Sequence, residues 1–84
     1  MVRVTEPMKR RFSPSVRGAS FWAEKEDGTE WRNGDYAIFK RWEGIHRPWY
    51  EAVDMVRGGM IGGRHPSVGA AKEACKSHWE EDPM

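Results

Sequence analysis

The chain holds a single cysteine, Cys75. No disulfide can therefore close within it, and a reducing, cytoplasmic setting is the expectation. No apolar run approaches the roughly 20 residues needed to cross a bilayer, so a membrane partner is not expected. The basic residues near the start are not followed by an apolar block, which argues against a secretory signal. Internal repeats and low-complexity segments are lacking. The glycine pairs Gly58-Gly59 and Gly62-Gly63 have neither of the spacings that cradle phosphates in dinucleotide sites and P-loops. They read as turns.

Charge of one sign is also lacking: the formal net charge is +1. Its distribution is uneven. Arg3, Lys9, Arg10, Arg11 and Arg17 face only Glu6 within residues 1–18, whereas acidic side chains outnumber basic ones in residues 19–84. Two prolines, Pro7 and Pro14, and the absence of periodicity make residues 1–18 read as a basic flexible arm. Residues 19–84 then form a single domain, as 84 residues allow.

What the chain does have is aromatic bulk. Five tryptophans, Trp22, Trp31, Trp42, Trp49 and Trp79, can build much of a small core, since each aromatic ring buries roughly 150–250 Å². The sequence predicts a first strand over residues 20–25, an Asp27-Gly28 turn, a return over residues 29–32 and an Asn33-Gly34 turn. Both turns read as type I′. Residues 35–42 and 49–56 read as longer strands, with Pro48 at the entrance of the second, where its missing N–H does no harm. Along that second strand, Trp49, Val53 and Met55 form the more apolar side. Met60-Ile61-Gly62 is a brief return.

The clearest element is the last. At about 100° per residue, Val68, Ala71, Ala74, Cys75, His78 and Trp79 fall within one helical arc of about 140°, and Lys72, Glu73, Lys76 and Ser77 fall outside it. Ser67 is a good N-cap. The fold class that results is α+β: an antiparallel three- to four-stranded β-meander with one C-terminal helix packed on one face.

Catalytic chemistry has little to work with. Cys75 and His78 share a helix face, but it is the buried one, where a thiol is neither exposed nor activated. His46 and His65 stand on separate loops, so no metal site is expected, nor any cofactor. The carboxylates of Glu24, Glu26, Asp27 and Glu30 cluster around a turn without an acid–base partner. The chain is expected not to be an enzyme. A generic anion site at the helix entrance, Gly63 to Ser67 with Arg64 and Lys72, is the remaining small-ligand reading.

Tyr36-Ala37-Ile38, Trp49-Tyr50-Glu51-Ala52 and the Ser67-Val68-Gly69-Ala70-Ala71-Lys72-Glu73-Ala74-Cys75 helix resemble a pattern in small phage and prophage proteins of uncharacterised activity. The likeness covers about half the chain and is one of fold. Ser67 to Lys72 fall where double-stranded-RNA-binding domains carry a basic cluster, though two of that family's lysines are absent here. The order of strands before helix is also similar to that of HicB-type antitoxins. The phage likeness implies a mobile-element origin.

Two functions follow as expectations. The first is a small non-enzymatic protein-binding module that acts on a host protein, such as an inhibitor of a defence system in the manner of anti-CRISPR proteins. Its contact residues would be Trp42, Arg47, Trp49 and Tyr50 around the loop at 43–48, because Trp, Tyr and Arg dominate binding hot spots. Exposed strand edges make a second copy of the chain a further partner. The alternative is a nucleic-acid-binding accessory protein that uses Lys9, Arg10, Arg11 and Arg17 of the arm, with Lys40 and Arg41 on an aromatic, basic sheet face.

Overall fold

The computed structural model describes residues 10–17 and 19–81. Five strands, β1 (Ala23–Glu24), β2 (Glu30–Asn33), β3 (Tyr36–Arg41), β4 (Trp49–Asp54) and β5 (Gly59–Met60), precede one helix, α1 (Val68–Glu80). The strands pair antiparallel in chain order β1-β2-β3-β4-β5. The α+β meander with a C-terminal helix is thus the observed architecture. The outer strands are only two residues long, which limits the unpaired edge.

The turns differ from the expected pair of type I′ loops. Neither Asp27 nor Asn33 has positive φ, which a type I′ turn demands at both central positions. The first hairpin instead closes with Lys25 N–H donating to Glu30 O, and only Gly28 enters the left-handed region, at φ 68°. Asp27 steadies it by accepting from the Thr29 hydroxyl at 2.6 Å. The second loop is Gly34-Asp35, one residue later than expected. Asn33 belongs to β2 and pairs with Tyr36, and Gly34 alone has positive φ. Its position at the head of a two-residue loop is that of a type II′ turn.

The register fixes two faces. Trp31, Asn33, Tyr36, Ile38, Tyr50, Ala52 and Asp54 share one, because Ile38 stands between Trp31 and Ala52, and Tyr36 between Asn33 and Asp54. This face meets α1. Trp31, Tyr36, Ile38, Ala52, Ala71 and Cys75 form the buried core, ringed by Phe12, Trp22, Tyr50, Ile61, Val68 and Trp79. Ala71 and Cys75 are fully buried. Their small side chains bring the helix close to β3 and β4. The Ser67 hydroxyl caps the helix by accepting from Ala70 N–H at 3.1 Å. At the far end Tyr36 Oη and His78 Nδ1 are hydrogen-bonded at 2.9 Å.

On β4 the expected sidedness is reversed. Tyr50, Ala52 and Asp54 face the helix, while Trp49, Val53 and the residue after the strand, Met55, do not. Hydropathy misleads here because Asp54 is buried by pairing rather than by apolarity. It lies 3% exposed and takes an ion pair from Arg10 at 2.8 Å, with backbone N–H groups of Val56 and Arg57 on its other oxygen.

That ion pair corrects the expectation of an arm running to residue 18. Arg10 to Ser13 are laid across the sheet as a strap, each residue held. Arg10 pairs with Asp54. Arg11 exchanges bonds with Asp35, N–H to carboxylate at 2.8 Å and carbonyl to N–H at 2.8 Å. Phe12 meets Tyr36, Trp22 and Trp79 with ring centroids 5.5, 5.9 and 5.4 Å away. Ser13 is clamped by Asn33. Arg10 to Ser13 thus belong to the compact structure, because one phenylalanine, Phe12, packs between the helix end and the sheet. The strap closes the end of the sheet that holds the β2–β3 loop and leaves the β3–β4 loop end open.

Candidate functional site

The open end is built by the long β3–β4 hairpin. The last cross-strand pair is Arg41 with Trp49, and the loop beyond it spans residues 42–48. Within it His46 N–H donates to Glu43 O at 3.1 Å, and Gly44 takes φ 58°. Positive φ at this position makes a primed-type turn and places Ile45 at its apex. Ile45 is fully exposed and Trp42 is 58% exposed. An isoleucine left in water forgoes roughly 1.5–3 kcal/mol of burial. Two such side chains at one hairpin tip are the marked apolar feature of this end.

The open sheet face behind the tip carries a fixed polar ladder. Glu51 accepts from the Trp49 indole N–H at 3.0 Å with one oxygen and from Arg41 Nε at 3.1 Å with the other. The Trp49 bond, the largest effect, with help from Arg41, holds the Glu51 carboxyl below its ordinary value against the opposing effect of burial. Arg41 lies over the Phe39 ring at 5.2 Å, and Arg64 over the Trp49 ring at 3.9 Å. Arg64 is delivered by the loop after β5, where Tyr50 and His65 exchange two backbone bonds of 2.9 Å.

Two clefts flank the tip. One of about 400 Å³ is lined by Asp27, Thr29, Lys40, Trp42, Gly44, His46 and Pro48. The other, of about 410 Å³, is lined by Glu43, His46, Arg47, Trp49 and Arg64. His46 is common to both.

Of the residues expected to contact a protein partner, Trp42, Arg47 and Trp49 gather at this end. Tyr50 does not join them. It points to the helix face and packs edge-on against Trp31 at 5.9 Å. The residues expected to contact nucleic acid are scattered. Lys9 lies outside the described residues. Arg10 is turned inward with its side chain 12% exposed. Arg11 is anchored to Asp35 with an exposed end, and Arg17 sits in a left-handed turn at φ 51°. Lys40 and Arg41, as neighbours on one strand, face opposite sides. On the sheet face of Arg41 the aromatic neighbour is Phe39, and the Arg41 guanidinium lies over its ring.

The loop at Gly63 to Ser67 serves the fold: Ser67 caps the helix, and His65 Nε2 is hydrogen-bonded to Ile61 O at 2.8 Å. Cys75 is fully buried, and desolvation pushes its thiol up to about 12. Among the described residues, no three His, Cys, Asp or Glu side chains converge as a metal cluster. No described helix is long and apolar enough to cross a membrane. Ile45 and Arg64 were not singled out as contact residues by sequence reasoning. The Gly44-Ile45 pair inside a charged loop was the available signal for the first; Arg64 reaches Trp49 only through the tertiary path of the loop after β5.

No protein-family model, no curated protein and no solved structure matches this chain.

Proposed function

We propose that the protein is a small non-enzymatic protein-binding module that engages its partner through the β3–β4 hairpin tip. The observation that carries this reading is the apex itself: Ile45 is fully exposed and Trp42 is 58% exposed, beside Arg47. Val16, Phe21, Met55, Val56 and Met60 are exposed as well, but Ile45 is the most exposed of the large apolar side chains among the described residues, and the fold gains nothing within itself by holding it in water. Aromatic, aliphatic and arginine side chains carried on one short loop are what a partner's pocket can desolvate. The ordered turn under Ile45 keeps the entropic cost of docking low. The phage likeness makes a host protein, such as a component of a defence system, the first partner to test.

The test is site-specific photocrosslinking in host cells. A photoreactive residue at position 45 is expected to capture one discrete partner. The same residue at the exposed Glu73 of α1 is expected to capture none. Equal capture at both positions, or none at 45, would remove the reading.

A further inference from the structure

Around the tip, Lys40, Arg41 and Arg47 are opposed in sequence by Glu43 alone. Arg41 is already paired with Glu51. Arg47 and Arg64 make no hydrogen bond or ion pair among the described residues, yet they line one cleft of about 410 Å³. Arg64 is held ready: its guanidinium lies over the Trp49 ring at 3.9 Å, and the Trp49 indole is itself fixed by Glu51. The loop that carries Arg64 is pinned on both sides, by the Tyr50–His65 backbone pair and by the His65 ring on Ile61 O. A planar guanidinium with unused donors matches a carboxylate in shape and charge.

We propose that the Arg47–Arg64 cleft takes a carboxylate from an acidic segment of the protein partner, with an apolar side chain of that segment packed on Ile45 and Trp42. This rests on the hairpin-tip reading above and names the chemistry of its partner. A nucleic acid fits less well. Its successive phosphates would run past Glu43, which lines the same cleft. Two of the aromatic faces that bases would stack on already carry a guanidinium, Trp49 that of Arg64 and Phe39 that of Arg41, which leaves Trp42 as the exposed ring at this end. One carboxylate needs only the fork.

The test starts from a random peptide library displayed against the full chain, with the selected peptides as probes. The selected peptides are expected to carry Asp or Glu beside an apolar residue. They should bind about tenfold more weakly to both Arg64→Lys, which keeps the charge but loses the fork, and Arg47→Glu. They should also weaken on Ile45→Ser. Replacing the peptide's acid with Lys should restore binding to Arg47→Glu. Thermal unfolding of each variant confirms that it is folded. Peptides that depend on Ile45 but carry no acid and ignore both arginines would overturn this inference and leave the hairpin-tip reading standing. Failure to select any Ile45-dependent peptide would remove both. Tight binding of a short single-stranded DNA through Arg47 and Arg64, weakening steeply with salt, would overturn it in favour of nucleic acid.

Discussion

Asn33 holds Ser13 with both ends of its side-chain amide. Its Oδ1 accepts from Ser13 N–H and its Nδ2 donates to Ser13 O, both at 2.9 Å. The amide thus does for the strap what a neighbouring strand does for a β-ladder. Asn33→Ala removes both bonds at a site that is only 4% exposed. The expected loss is about 2 kcal/mol in a urea titration, two ordinary hydrogen bonds. Trypsin should then cut faster after Arg10 and Arg11, because the strap leaves the sheet more often. Unchanged cleavage would mean that Phe12 alone suffices to hold it.

The Arg10–Asp54 pair sets the response to acid. Burial by itself raises the Asp54 carboxyl, but backbone N–H groups of Arg57 and Val56 and the Arg10 guanidinium outweigh it and leave the group below its ordinary value. A carboxyl lowered in the folded state stabilises at pH above its unfolded value, about 3.9, and that stabilisation is lost as pH falls through the folded value. Stability should therefore drop below about pH 4. Asp54→Asn should flatten that slope, and at neutral pH it should lower stability because the ion pair with Arg10 is lost. Glu51 and Asp27, lowered in the same direction, leave a residual slope. Melting temperatures from pH 7 to pH 2 read the difference.

How much of this was legible in the residues differs by element. The helix was readable because one arc of Val68, Ala71, Cys75 and Trp79 carries its whole buried stripe, and local periodicity suffices to find such a stripe. The meander was readable from its glycine turns, although one turn was misplaced by a residue, since Asn33 is a strand residue with a tertiary task. The strap was not readable. Phe12 is a lone aromatic among basic residues, and Arg10 reads as a solvated charge until Asp54, 44 positions away, is placed beside it. The sidedness of β4 failed for the same reason. At the site, Trp42, Arg47 and Trp49 were legible as residue types, while Tyr50 belonged to the core, which composition cannot reveal.

Cys75 should be inert in the native protein. Its side chain is fully buried and desolvation raises its thiol to about 12, so almost no thiolate exists at neutral pH. Ellman's reagent at pH 8 should report no reactive thiol in the folded chain and one after addition of guanidinium. Fast reaction in the folded state would show that the contact between α1 and the sheet opens readily.

Ile45→Ser separates binding from folding. The side chain is fully exposed, so the substitution should change stability by no more than about 0.5 kcal/mol. With the photoreactive residue moved to the neighbouring exposed Glu43, partner capture should nevertheless fall sharply, because the apex is the proposed contact. Circular dichroism melts run beside the crosslinking experiment check both halves.

Gly34 and Gly44 share a backbone conformation and should differ in what they tolerate. Their φ values are 60° and 58°, so alanine at either position meets the same left-handed strain, about 1 kcal/mol. At Gly44 a Cβ has nothing within 4 Å. Gly44→Ala should therefore cost that strain and no more, while tilting the turn that presents Ile45 and so weakening partner binding. At Gly34 a Cβ would collide with the Arg11 carbonyl, a backbone atom that cannot rotate away. Gly34→Ala must displace the strap, and with it the Arg10–Asp54 pair, the Arg11–Asp35 bonds and the Phe12 ring. Its cost should exceed that of Gly44→Ala by about 2 kcal/mol or more, the scale of the strap bonds it breaks. Urea titrations of the two variants decide it: equal midpoints would mean that the strap contributes little to the stability of the sheet.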